Sequence, residues 1–185
     1  FNMTVRRVLT WPDKRLTISA QPVEDFDDEL ISLCKDMADT MKASFGIGLA
    51  ATQINVQKAI CVIANSAVRT LTPDPVMTDH VVLVNPKIDV IGPSKFKWEE
   101  QCLSIPNFKE EVERNTKIVV RYQDLSGKLV TQELIGHESA TIQHEVDHLF
   151  GKLFIHQLKG ARRSMVFRKL QKAERKKSNL DEVGD

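Results

Sequence analysis

Apolar residues at intervals of three and four predict an N-terminal helix over residues 27–43. The apolar positions in this segment are Leu30, Leu33, Cys34, Met37, Ala38 and Met41. Acidic residues cluster just before them, which suits a helix N-terminus because the helix dipole favours anions there. We therefore expect an amphipathic helix whose apolar face packs on the core of the protein.

The middle of the chain carries shorter apolar runs that predict β-strands. The predicted strands are residues 58–64, 80–85, 87–91, 95–100, 118–123 and 129–135. Pro86 separates the second run from the third, and Ser126 with Gly127 marks a hairpin turn between the last two. Residues 65–79 contain two prolines and predict a surface loop.

A second helix is predicted over residues 138–150, which contain neither Pro nor Gly. This segment includes the pattern His-Glu-x-x-His. Residues i and i+4 lie on one face of a helix, so His144 and His148 can bind one metal ion. Glu145 lies close enough to take a proton from a water activated there. A pattern with two free positions also matches by chance in many proteins, so the rest of the chain has to decide.

The order of these elements indicates an α+β fold rather than an alternating doubly wound sheet. We expect small antiparallel or mixed sheets packed around the central metal-bearing helix, with one helix near each end of the chain. The last helix is predicted over residues 159–177. A length of 185 residues suits one domain. Residues 1–158 are expected to form its catalytic part, and residues 159–185, a basic helix with an acidic tail, to belong to the same domain.

A catalytic metal site of this kind needs a third protein ligand and an open position. The downstream candidates are His156, Glu174 and Glu182, and the upstream candidate is Cys102. Cys102 is the only cysteine in a polar, turn-like setting, whereas Cys34 and Cys61 fall in apolar patterns typical of buried thiols. An odd and sparse set of cysteines argues against a disulfide framework and indicates a reducing compartment.

Three motifs in a fixed order resemble the peptide deformylase family. Residues 46–53 read Gly-Ile-Gly-Leu-Ala-Ala-Thr-Gln, residues 100–104 read Glu-Gln-Cys-Leu-Ser, and residues 143–148 read Gln-His-Glu-Val-Asp-His. The first and third match the family patterns Gly-x-Gly-Leu-Ala-Ala-x-Gln and Gln-His-Glu-x-Asp-His. The second departs from Glu-Gly-Cys-Leu-Ser at Gln101. The similarity runs over residues 8–154.

The resemblance implies hydrolysis of the N-formyl group from N-formylmethionyl nascent peptides. It implies one divalent metal ion held by Cys102, His144 and His148. Family members use Fe²⁺ in the cell and often hold Zn²⁺, Ni²⁺ or Co²⁺ when purified. By the same resemblance Glu145 is the general base and acid. The side chain of Gln53 and the backbone N–H of Leu103 would stabilise the oxygen that becomes negative, and the Gly46, Ile47 and Gly48 backbone would pair with the substrate.

Three departures from the family pattern fall near this site. They are Gln101 beside the predicted metal cysteine, Trp98 where a small aliphatic residue is expected, and the polar segment 136–141 before the metal helix. In relatives these positions line the pocket for the methionine side chain, and we expect Trp98, Glu100 and His137 to contact substrate. The departures suggest either a divergent member with an altered or shallower pocket or neutral drift. Asp147, beside the ligands, is predicted to pair with Arg114.

Although the net charge of the whole chain is only +1, its C-terminal segment is strongly basic. Residues 159–177 contain nine Lys or Arg and one Glu. Such a run is usually a solvated helix face, but it can also contact RNA phosphates. A ribosome near its exit tunnel is therefore a possible partner. The predicted apolar face of this helix is Leu158, Ala161, Met165, Leu170 and Ala173. We expect no DNA partner, no membrane partner and a monomer.

Two other classes of function remain open for this chain. One is a His-Glu-x-x-His endopeptidase, against which the short length and the upstream cysteine count. The other is a structural metal or RNA-binding module, although structural zinc sites usually have four protein ligands and only three are evident. No apolar run approaches the ~20 residues that span a bilayer, and no signal-peptide pattern is present. We expect the cytoplasm, and an organellar or phage origin also fits.

Overall fold

The computed structural model describes residues 3–183, with side chains up to residue 180. The three α-helices are α1 (Asp28–Ala43), α2 (His137–Leu149) and α3 (Gly160–Val183). The seven strands are β1 (Gly48–Ala50), β2 (Ile60–Ala64), β3 (His80–Val90), β4 (Lys95–Cys102), β5 (Ile105–Asn115), β6 (Lys117–Gln123) and β7 (Leu129–Ile135). The α+β prediction is confirmed. The predicted acidic tail lies outside the described side chains.

The strands form two antiparallel sheets. The larger has the order β1-β2-β3-β6-β7, and β4 pairs only with β5. The prediction of two strands separated at Pro86 is wrong, because β3 runs through it. The pairing of β3 with β6 shifts between Val84 and Lys87, and this bulge accommodates a proline that has no N–H to donate. Asn85 has a φ of 52°. Its side-chain Oδ1 accepts a hydrogen bond from the N–H of Val23, and its Nδ2 donates one to the carbonyl of Val23.

Helix α1, which was predicted at residues 27–43, packs against the five-stranded sheet, and the two together enclose one part of the hydrophobic core. Asp27 caps α1 by accepting a hydrogen bond from the N–H of Leu30 at 2.9 Å. One face of the sheet packs on α1 and the other on α2, so the inner strands are buried on both sides. Alternate residues of β2 therefore belong to different clusters, and Ile60 faces α1 while Cys61 faces α2. This arrangement explains why β2 reads as an unbroken apolar run.

Strand β5 has no counterpart in the sequence prediction. Its inward positions alternate as a half-buried strand should, but two of them are charged. Glu110 is 8% exposed and Arg114 is 3% exposed. The apolar and polar alternation that identifies strands is therefore broken in the sequence. The 11 residues of β5 form the inner wall of the hairpin that approaches α2.

The C-terminal helix packs on a third cluster with the β4–β5 hairpin. Val166 and Leu170, four residues apart, are its buried side chains. The predicted apolar face is wrong at Ala161, Met165 and Ala173, which are exposed. The helix begins at Gly160, and its inward face carries Val166 and Leu170 instead. None of the helices in the described part of the chain is long and apolar enough to cross a membrane.

Candidate active site

Two structural elements bring the three predicted metal ligands together. Helix α2 presents His144 and His148 one turn apart, and their Nε2 atoms lie 3.3 Å from each other. Cys102 ends β4 at the hairpin turn, and its Sγ lies 3.4 Å from Nε2 of His148. The three ligand atoms all lie within 4.8 Å of one another. A thiolate and two imidazoles at these separations suit one tetrahedral transition-metal ion with an open position.

Glu145 lies beside these ligands with an unused oxygen. It is 5% exposed, and its Oε2 has no hydrogen-bond partner among the residues that the structure describes. Burial raises the pKa of Glu145 to about 7. The other oxygen faces the bare backbone of Gly48, where an added Cβ would lie 2.3 Å from Oε1. Only glycine fits there, and a buried carboxylate without a partner is suited to proton transfer.

Gln53 is fixed so that its amide N–H₂ group faces the cysteine. Its Oε1 accepts a hydrogen bond from the N–H of Ala50 at 2.8 Å. Its Nε2 donates to Oγ of Ser104 at 3.0 Å and lies 3.5 Å from Sγ of Cys102. Leu103 follows the cysteine in the turn, and its side chain packs so closely on Gly46 that an added Cβ would lie 2.8 Å from Leu103 Cδ1. The short 3₁₀ helix Ala51–Ile54 supplies Gln53 directly after β1.

A buried charge network supports the metal-ligating histidine. Nδ1 of His144 lies 2.6 Å from Oε2 of Glu100. Arg114 donates to both oxygens of Glu100, at 2.6 and 2.9 Å, and to Asp147 at 2.6 Å. Burial alone would raise the pKa of Glu100, but the hydrogen bonds from Arg114 and His144 hold it below its usual value. The predicted pairing of Asp147 with Arg114 is confirmed.

A cleft of about 500 Å³ opens onto these groups. Gly46, Ile47, Gly48, Trp98 and Glu100, which were expected to contact substrate, line it. Substrate contact by Glu100 stays a prediction, and its two carboxylate oxygens bond Arg114 and His144.

The predicted substrate contact of His137 also stays a prediction. His137 does not itself line the cleft, and its ring stacks on that of Trp98 with centroids 4.2 Å apart. Only Ala140 and Thr141 of the polar entry segment line the cleft. Ser139 instead donates to the carbonyl of Asn115 at 2.9 Å. The polar entry to α2 is thus partly structural.

The downstream alternatives for the third ligand are not part of this constellation. Nδ1 of His156 accepts a hydrogen bond from the N–H of Leu153 at 2.9 Å, which makes it a local helix cap. Glu174 lies on α3 and does not join the group of His, Cys and acidic side chains found among the described residues. The side chain of Glu182 lies outside the described residues.

Two supporting residues escaped the sequence analysis. Ser104 accepts from Gln53, and Phe154 stacks on the His144 ring with centroids 6.0 Å apart. Ser104 is fully buried although it is polar and lies in a turn. Its position two residues after Cys102 in the motif was the available signal. No sequence signal separates Phe154 from the other apolar residues that follow α2.

Comparison with known proteins agrees with this geometry. Residues 5–164 match the family model for polypeptide deformylase. The chain is 39% identical to a peptide deformylase of Hahella chejuensis over 170 residues, 92% of this chain and 96% of the relative. It is similar to a crystal structure of a peptide deformylase from Legionella pneumophila, with 38% identity, a TM-score of 0.79 and coverage of 95% and 98% of the two chains.

A second solved structure is similar to the same extent. It is peptide deformylase from Ehrlichia chaffeensis in complex with actinonin, with 35% identity, a TM-score of 0.79 and coverage of 94% of this chain and 99% of that chain. The matched region includes both sides of the cleft and every predicted metal ligand. The chain therefore belongs to the polypeptide deformylase family.

Proposed function

We propose that this protein hydrolyses the formyl amide of N-formylmethionyl peptides with one divalent metal ion held by Cys102, His144 and His148. The observation that carries the proposal is the convergence of these three ligand atoms within 4.8 Å of one another beside Glu145 with its unpartnered oxygen. Three ligands and an adjacent base are typical of a catalytic site rather than of a closed structural one. Imidazole and thiolate ligands suit several transition metals. Fe²⁺ is the proposed metal in the cell because members of the family use it there.

The residues of the chain divide the work of amide hydrolysis. When bound, the metal acidifies water and polarises the formyl oxygen. Glu145 takes the proton of the attacking water and returns it to the leaving amine. The N–H₂ group of Gln53 and the N–H of Leu103 stabilise the negative oxygen as the carbonyl becomes tetrahedral. Glu100, itself held by Arg114, fixes the orientation of His144.

Removing the metal tests this assignment. Chelation is expected to abolish formate release from formyl-Met-Ala-Ser, and adding Fe²⁺ or Ni²⁺ under anaerobic conditions to restore it, because the water nucleophile depends on the metal. The unfolding transition of the stripped protein, followed by circular dichroism, controls for loss of structure. A metal-loaded, folded protein that releases no formate would favour a structural metal module instead.

A second proposal concerns the methionine pocket. Trp98 lines the cleft, and its ring is fixed by the stack on His137. We infer that this ring makes the pocket shallower than a small aliphatic residue would. The preference for formyl-Met-Ala-Ser over formyl-Ala-Ala-Ser, measured as kcat/KM, is expected to stay below about tenfold and to rise by about tenfold in Trp98→Val, because the cavity then admits the thioether.

Phe96 provides a matched control for the pocket. It lies two residues away on β4, with its ring centroid 6.4 Å from that of Trp98, but it does not line the cleft. Phe96→Val should leave the ratio of the two substrates unchanged. A strong preference for methionine in the unmodified protein would rule out the shallow pocket and leave Trp98 as neutral drift.

The basic helix is proposed to contact ribosomal RNA. Three of its cations are engaged within the fold, because Arg162 pairs with Glu110, Arg163 lies over Phe167 and Lys169 lies over Phe108. The α3 cations with neither an ion pair nor an aromatic contact among the described residues are Arg168, Lys172, Arg175, Lys176 and Lys177. Burial of Val166 and Leu170 supports placing residues 159–185 in the same domain as residues 1–158.

Reversing two of the unpaired charges tests ribosome binding. A Lys172→Glu, Lys176→Glu variant is expected to lose about tenfold or more in ribosome co-sedimentation at low salt, because phosphate contacts release counterions. The same double change at Lys35 and Lys42, which are exposed on α1, is the control. Equal binding of both variants and the unmodified protein would show that α3 is only a solvated helix.

The cysteines support a cytoplasmic or other reducing location. Cys34, Cys61 and Cys102 are all free thiols. Burial raises the pKa of Cys34 to about 12 and raises that of Cys61 well above its usual value, so neither is a reactive thiolate. The thiol of Cys102 is needed as a metal ligand, and we propose that a reducing environment preserves it.

A further inference from the structure

Strand β7 forms the edge of the larger sheet that lies away from the active-site cleft. It is last in the strand order and pairs with β6 over seven residues in unbroken register. None of its residues lines the cleft. Its sequence, Leu-Val-Thr-Gln-Glu-Leu-Ile, contains no proline and no lysine, and proteins use such residues and bulges to keep other strands off an exposed edge. The edge is therefore open to pairing with a further strand.

The hydrogen bonds of β7 show which of its residues have backbone groups directed away from β6. The N–H of Gly136 donates to the carbonyl of Thr116 at 2.8 Å. Inward and outward residues alternate along an antiparallel edge strand, so residues 134, 132 and 130 also bond β6, and residues 129, 131, 133 and 135 are directed outward. These four outward residues are all exposed. The carbonyl of Glu133 accepts a hydrogen bond from the side chain of its neighbour Gln132 at 3.2 Å, as a free edge carbonyl can.

The exposed apolar side chains of β7 make a second copy of this strand a well-matched partner. Leu129 is 65% exposed and Ile135 is 58% exposed. Leu134 packs in the cluster on α2, so the outward residues share the opposite face of the sheet. If two β7 strands pair antiparallel about a twofold axis at Gln132, Leu129 of each copy lies opposite Ile135 of the other. Both exposed apolar side chains are then covered at once.

Backbone geometry and charge select this register over its neighbours. An axis at Gln132 pairs all four outward residues and places Glu133 opposite Thr131. An axis at residue 133 would place the two copies of Glu133 directly opposite each other, which is destabilising. An axis at residue 131 would pair Leu129 with Glu133 and separate the apolar side chains. In the selected register Glu133 also keeps its own ion pair with Lys117 at 2.8 Å.

We propose that the protein forms a twofold symmetric dimer in which the β7 edges of two copies pair and join their sheets into one. The outward residues form four pairs that each exchange two backbone hydrogen bonds, or about eight bonds in all. Contacts between Leu129 and Ile135 add buried apolar surface. An interface of two short strands is small, so we expect a reversible dimer with a Kd of about 10 µM. This dimer takes the place of the monomer expected from the sequence, and it does not depend on the proposed deformylase function.

A cysteine at the twofold axis tests the register. In the proposed dimer the two copies of Gln132 form a non-hydrogen-bonded pair with Cα atoms about 4.5 Å apart, which a disulfide can join. Mild oxidation of metal-loaded Gln132→Cys is expected to give mostly a disulfide-linked dimer on non-reducing gels. Thr131→Cys is the matched control, because its two copies lie about 8 Å apart in this register, beyond the reach of a disulfide. The unmodified protein controls for its three native thiols.

Variants of the edge test the association without a cross-link. Sedimentation velocity of the metal-loaded protein is expected to show monomer giving way to dimer as the concentration rises through about 10 µM. Thr131→Pro removes an outward N–H but no bond to β6, and it should raise the Kd by about tenfold or more. Ile135→Ser should raise it by about fivefold. Phe150→Ser removes a side chain that is 61% exposed outside β7 and should leave the Kd unchanged.

The outcomes separate edge pairing from other forms of association. A protein that stays monomeric up to about 200 µM overturns the proposal. A dimer that Thr131→Pro and Ile135→Ser leave equally stable overturns it too, because another surface then holds the copies together. Cross-linking of Thr131→Cys as readily as of Gln132→Cys rules out the register. Circular dichroism checks the fold of each variant, and if Thr131→Pro does not fold, Ile135→Ser and the cross-link decide.

Discussion

Replacing Glu145 by Gln is expected to reduce kcat for formate release by about 10³-fold with little change in KM. The amide keeps the shape that fits against Gly48 but cannot take a proton from water. The bound metal should remain, because Glu145 is not among the three grouped ligands. Formate assays at several substrate concentrations and metal analysis of the same samples measure both expectations.

Glu138→Gln is the matched control for that variant. Glu138 lies in the first turn of the same helix and accepts a hydrogen bond from Thr70 at 3.1 Å, outside the cleft. Its replacement should change kcat by no more than about twofold, since nothing in the transition state touches it. Retention of more than a tenth of the activity by Glu145→Gln would mean that another group transfers the proton.

Replacing Arg114 by Met is expected to weaken both the fold and the metal site. Arg114 is 3% exposed and binds two carboxylates, so its loss leaves Glu100 and Asp147 without their cation. Breaking a buried ion pair in this way costs about 3–5 kcal/mol of stability. Without Arg114 to hold Glu100, the ring of His144 is no longer fixed in orientation, and metal affinity should also fall by about 10–100-fold. Urea unfolding of the metal-free protein and competition with a chelator measure the two effects separately.

Arg6 offers a comparison at the surface. It also bonds a carboxylate, Asp36, but its side chain is 41% exposed. Arg6→Met should therefore cost no more than about 1 kcal/mol and leave metal affinity unchanged. If Arg114→Met costs as little as Arg6→Met, the buried network does not support the metal ligand.

Local sequence patterns predicted the parts of the site that lie close together in the chain. The spacing of His144 and His148 on a helix follows from helical geometry alone, and α1 begins one residue after the predicted start. The third ligand could be predicted only from the motif around Cys102. This residue is far from α2 in the sequence, and local patterns do not show that its hairpin turn reaches the helix. The predictions that Gln53 and Leu103 take part in catalysis rest on the same family motifs.

Interactions that join distant segments were harder to predict. Strand β5 was missed because its buried Glu110 and Arg114 have side chains typical of surface residues. Their charges are compensated by ion pairs with Arg162 and Glu100, respectively. The stack of His137 on Trp98 depends on how β4 crosses the start of α2. Neither helix nor strand periodicity contains that information, so the sequence analysis did not predict that His137 packs on Trp98.

The products formed from formyl-Met-Ala-Ser test the central claim most directly. With the metal-loaded protein, mass spectrometry combined with a formate assay should show formate and Met-Ala-Ser in equal amounts, because the attacked bond is the formyl amide. Formyl-Met together with Ala-Ser would instead show peptide-bond cleavage by a His-Glu-x-x-His endopeptidase. Either that pair or unreacted peptide would contradict the assignment of Cys102, His144, His148 and Glu145 to deformylation.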